Sequence, residues 1–174
     1  MITYSIYDLT VPVFTRSLQT LKAQLKKAED FAASRNVDPN KLLQDRIVFD
    51  QFPLVKQVQL CSDIAKRTAG VLAKTEVPKY EDSEETFAQL YARIDKTIEY
   101  LASISSEKME ISHTEVIPMS WMPTKGIPAQ PYVSTYALPN FYFHCTVAYS
   151  IMRKNGVPLG KGDYLGQLPL VDVK

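Results

Sequence analysis

The residue best placed for chemistry is a histidine on a helix face. His144 shares its face with Val147 and Ile151, three and seven residues on, so its imidazole should point toward a core. Asn140 lies four residues earlier, one turn back on the same face. Polar side chains on an apolar face need partners, because a buried unpaired polar group costs about 1–3 kcal/mol. A metal, a bound ligand, water or a polar group on another helix could fill that role. Gln57, beside the apolar positions Leu54, Val58 and Cys61, is placed to supply one such group. An imidazole held this way can ligate a divalent ion such as zinc or nickel, or act as a general base. A transition-metal site, however, normally draws on three or more His, Cys, Asp or Glu side chains. The chain has 2 histidines, and His113 sits in a proline-rich stretch with no visible link to His144.

Other candidate groups carry less. Cys61 and Cys145 both fall in helical segments without a CxxC neighbour, so they read as small core residues rather than metal or redox ligands. Cys145 adjoins His144, but successive helical residues point about 100° apart, which argues against a Cys–His pair. The stretch Gly156 to Gly162 superficially resembles a phosphate loop. Its spacing is wrong, no Ser or Thr follows Lys161, and a helix precedes it where a strand is needed. Phe141, Tyr142 and Phe143, with Trp121 and Tyr136, either line a pocket or plug one end of the molecule.

Four helices would position these groups. Residues 10–34 carry Phe14, Leu18, Leu21, Leu25, Ala28 and Ala32 on one stripe, and residues 53–73 carry Leu54, Val58, Cys61, Ala65, Thr68 and Leu72. Residues 83–105 carry Phe87, Leu90, Ile94, Ile98 and Leu101, with Asp82 and Glu85 spaced as a capping box. The fourth helix covers residues 139–155 and stops at Gly156 and Pro158. A short helical turn is expected at Asp38-Pro39, with Asp38 as cap. The tail, 156–174, reads as loop. Residues 106–137 contain Pro118, Pro123, Pro128 and Pro131 and cannot form one long helix. They form either an irregular loop or a small hairpin, with arms near 109–117 and 132–136 and a turn at Lys125-Gly126. Four one-striped helices bury their stripes most economically in a single all-α domain, an antiparallel four-helix bundle.

Composition narrows the function classes. The 174 residues are 45% hydrophobic and 22% charged, which suits one domain with a real core. A formal net charge of +1 gives no field to attract nucleic acid or an anionic membrane. No signal peptide and no membrane span is expected, and two free thiols suit the cytoplasm.

The run Leu138-Pro139-Asn140-Phe141-Tyr142-Phe143-His144, continuing through Ala148-Tyr149 and Arg153 to Lys161, closely resembles an uncharacterised family of the DinB-like superfamily in bacteria and fungi. So do Tyr7-Asp8, Val11 to Phe14, Phe52 to Leu54, and Gln57 to Gln59. The resemblance implies a DinB-like four-helix bundle with a long connection before the last helix, and a homodimer. Better-known relatives hold a divalent metal through one histidine on the second helix and two, four residues apart, on the fourth. Some are thiol transferases or isomerases. Matching the end of the fourth helix places His144 on the second histidine of that pair, Asn140 on the first, and Gln57 on the second-helix position. One ligand of three remains, and amides are weak transition-metal ligands. The expected protein is therefore a small-molecule-binding or interaction module with a degenerate metal site and no cofactor. Two alternatives stand beside it: a metal- or thiol-dependent enzyme centred on His144, and a metal-free enzyme using His144 as a base.

Overall fold

In a computed structural model, residues 5–111 and 114–173 are described, so His113 lies outside the described residues. The first helix, α1 (Val11–Ala33), admits Pro12 in its first turn and buries Phe14, Leu18, Leu21, Leu25 and Ala28. A 3-10 turn, Pro39–Gln44, comes next; Asp38 caps it by accepting from the Asn40 amide at 3.0 Å. α2 (Leu54–Leu72) begins after Pro53 and is enclosed well beyond one stripe. Besides its apolar row it buries Gln57, Gln59, Ser62, Lys66 and Thr68. That results from its position, because α2 packs against both α3 (Phe87–Ala102) and α5 (Leu138–Lys154). α1 packs against α3 and, less extensively, against α2 and α5. Phe14 of α1 meets Phe141 of α5 edge-on, ring centroids 4.8 Å apart, in the middle of the core.

Several boundaries differ from expectation, each for a local reason. The capping box of α3 belongs to Thr86 and Gln89, not to Asp82 and Glu85. Asp82 is instead engaged in ion pairs with Lys56 and Arg93, and α3 starts at Phe87. The chain is mainly rather than wholly helical: β1 (Val116–Met119) and β2 (Met122–Pro128) form a two-stranded antiparallel sheet. Its arms and turn differ from the hairpin expected. Ser120-Trp121 makes the turn, while Gly126 sits within β2 opposite Pro118. A side chain at 126 would collide with Val116 and with the Ile117 carbonyl, so Gly126 serves close approach rather than a turn.

Residues 132–136 are helical. α4 (Ala129–Pro131) runs through a π-helical segment, Tyr132–Ala137, directly into α5. Pro139 explains the wide turn, since it has no N–H to donate and its ring would crowd the carbonyl one α-turn back. Gly156, at φ +84°, ends α5 in the left-handed region. The tail is not all loop: α6 (Lys161–Leu165) folds back on α1, where Lys27 pairs with Asp163 and Gln24 Nε2 donates to the Asp163 carbonyl.

Candidate functional site at the α2–α5 seam

α5 presents His144 to α2 with 9% of its surface exposed. Its Nδ1 lies 2.7 Å from Oε1 of Gln57, which is itself 1% exposed. The amide orientation is fixed from its other end, because Gln57 Nε2 donates to the Phe52 carbonyl at 2.9 Å. An oxygen facing the imidazole can only accept, so Nδ1 carries the proton and donates. The acceptor lone pair is thereby assigned to Nε2. Burial holds the His144 pKa below its ordinary value, so the ring is neutral at pH 7. Phe143 stands edge-on to it at 5.2 Å between centroids. The Phe143 ring is itself more than half exposed.

The three residues singled out by sequence are not all joined. His144 and Gln57 meet directly. Asn140, one turn earlier on α5 and half-buried, instead faces the Tyr136 phenol, which burial makes harder to ionise, the Arg67 charge and then Asn140 offsetting only part of that. Tyr136 in turn packs on Trp121 at 5.0 Å and on Tyr132 at 5.6 Å. The aromatic group therefore divides. Trp121 and Tyr136 join the hairpin to the helical segment before α5, Phe141 is core, and Tyr142 and Phe143 face outward. No single pocket gathers all five.

The donor set does not fit a three-histidine metal centre. The position offers one imidazole, whose Nδ1 is committed to Gln57, and neutral amides for the rest. Among the described residues, no group of three or more His, Cys, Asp or Glu side chains is arranged to hold an ion.

Two arrangements escaped the sequence. Cys61 and Cys145 touch across the same seam, with Sγ atoms 3.4 Å apart. The periodicity placed Cys61 on an apolar stripe, Cys145 was read only as a small core residue, and nothing gave the register between α2 and α5. Arg93 is a buried charge, 3% exposed, whose guanidinium meets Asp63, Asp82 and Glu84 at 2.8–3.0 Å. A signal was present, since Arg93 lies three residues after the stripe position Leu90. Burial opposes its charge, while the hydrogen bond from Arg93 to Glu84 and the charges of Asp63, Glu84 and Asp82 outweigh that and hold it protonated. This cluster ties α3 to α2 and to the segment between them. No helix among the described residues is long and apolar enough to cross a membrane.

Known proteins bear on this geometry in two ways. No protein of curated description matches the chain. A crystal structure of a DinB family member from Shewanella denitrificans is 40% identical, with a TM-score of 0.92 over 96% of this chain and 95% of that one. The pattern of a family described as Domain of unknown function (DUF1993) matches residues 6–165, a span that includes Gln57, Asn140 and His144. With that span and that likeness, the chain belongs to the DUF1993 family of DinB-like domains of unknown function.

Proposed function

We propose that this protein binds a small organic molecule at the α2–α5 seam, on the antiparallel four-helix bundle of the DinB-like fold, and needs no metal to do so. The observation that carries this reading is the His144–Gln57 hydrogen bond. It orients an imidazole that burial keeps neutral, with its Nε2 lone pair turned away from Gln57, beside the exposed ring of Phe143. Such a spot suits a ligand with an apolar face and one hydrogen-bond donor. Packing of α2 on α3 and α5, and of α1 on α3, supports the bundle.

One observation favours a second reading. Donation from Nδ1–H to a carbonyl oxygen is also how metal-binding imidazoles are oriented, leaving Nε2 to ligate. Elemental analysis of untagged protein separates the two. The organic-ligand reading expects no stoichiometric zinc, nickel or iron. Phenol, as a probe with one donor and one apolar face, should then shift the His144 ring resonances in the native protein and leave those of a His144→Leu variant's neighbours unchanged. About one metal per chain, lost in His144→Leu, would establish the second reading instead.

A further inference from the structure

Two thiols lie in contact at the seam, and neither is used by the His144–Gln57 pair. Cys61 is fully enclosed and Cys145 is 5% exposed. Cys145 also lines a crevice of about 120 Å³ between α1, α5 and the segment of α6, together with Ser17, Gln24, Tyr142 and Tyr164. Gln24 is 2% exposed and its Oε1 has no hydrogen-bond partner. An enclosed orphan acceptor marks a place for a small donor molecule. The crevice has room for a few waters or a solute of similar size, and none for a peptide or a tripeptide thiol. Arg16 also lines the crevice. Burial pushes the Cys61 thiol up, and its hydrogen bond with Cys145 pushes it the same way.

We infer that Cys61 and Cys145 are a pair that peroxide oxidises slowly to an intramolecular disulfide, with Cys145 reacting first, from the crevice. Hydrogen peroxide is the oxidant by class: it is small enough to enter, and its O–H can donate to Gln24 Oε1. Cys145 Sγ takes one oxygen as the O–O bond breaks, and its thiol proton leaves with the other oxygen as water. Cys61 Sγ, 3.4 Å away, then displaces the sulfenic oxygen as a second water, carrying its own proton. Two thiols are oxidised and one peroxide is reduced to two waters. The sulfurs need to approach by only about 1.4 Å to reach bonding distance. The bond would join α2 to α5 one turn beyond Gln57 and directly after His144. Its formation does not depend on whether His144 binds a ligand.

The test compares oxidants on the intact native chain. Hydrogen peroxide should remove both Ellman-titratable thiols, assayed after unfolding, and produce one peptide pair linked through Cys61 and Cys145 in a non-reducing digest. The reaction should be slow, at or below the rate of an unactivated thiol. Oxidised glutathione, too large for the crevice, should leave both thiols intact over the same time. In Cys61→Ala, peroxide followed by dimedone should label Cys145. Thiols unchanged by peroxide, Cys145 driven to sulfinic acid with Cys61 still free, or linkage between separate chains would each overturn the inference. The wild-type peptide map decides it even if the variant fails to fold.

Discussion

At the residue scale, the His144–Gln57 bond makes two separable predictions. His144→Leu leaves Gln57 Oε1 buried without a donor, and Gln57→Leu leaves Nδ1–H without an acceptor. Each should cost about 1–3 kcal/mol in urea unfolding. The double variant replaces both polar partners by apolar groups and should cost clearly less than the two singles added together. Simple additivity would show the pair uncoupled. pH provides the second prediction. The folded-state pKa of His144 lies below the ordinary 6.5, so the unfolded chain binds this proton more readily. The contribution is therefore full above about pH 6.5 and is lost as pH falls through the lower folded-state value. Unfolding measured across about pH 5 to 8 should show this loss, and His144→Leu should flatten it. At this scale the sequence was informative about which residues face inward. It could not say that Gln57 rather than Asn140 meets the imidazole, because that depends on the axial offset of α2 against α5.

Among the elements, Arg93 shows what holds α3 to α2. Arg93→Ala removes the cation shared by Asp63, Asp82 and Glu84, which keep Lys66, Lys56 and Gln59 respectively, and should destabilise by about 1–3 kcal/mol. Reversible unfolding in urea measures it; a loss below about 1 kcal/mol would mean that solvent already satisfies these carboxylates. Gly70 offers a different test. A methyl group there would meet the Tyr100 hydroxyl and Val77 at 2.5 Å, so Gly70→Ala should cost about 1–3 kcal/mol despite its better helix propensity. The four long helices were legible because their apolar periods persist over several turns. Short-range signals misled at α3, where Asp82 and Glu85 satisfy the box spacing but the Asp82 carboxylate is drawn to Lys56 and Arg93. Gly126 misled in the same way: a glycine can mark a turn or a close approach, and only the register with Pro118 distinguishes them. The π-helical entry to α5 was illegible because proline density resembles loop until neighbouring turns widen around it.

The whole molecule reads as a DinB-like domain whose seam between α2 and α5 concentrates its unusual polar and sulfur groups. Gln57, Cys61, His144 and Cys145 all lie there, on two helices that pack extensively together. The central claim is that the imidazole at this seam is neutral, protonated on Nδ1, and held by an amide rather than by a metal. Nitrogen-15 NMR of the two histidine rings tests it most directly, with His113→Gln leaving His144 as the sole signal. At neutral pH the account predicts a pyrrole-like Nδ1, a pyridine-like Nε2, and a spectrum unchanged after exhaustive treatment with a chelator. A doubly protonated ring at neutral pH, or resonances that move when the chelator strips an ion, would contradict it.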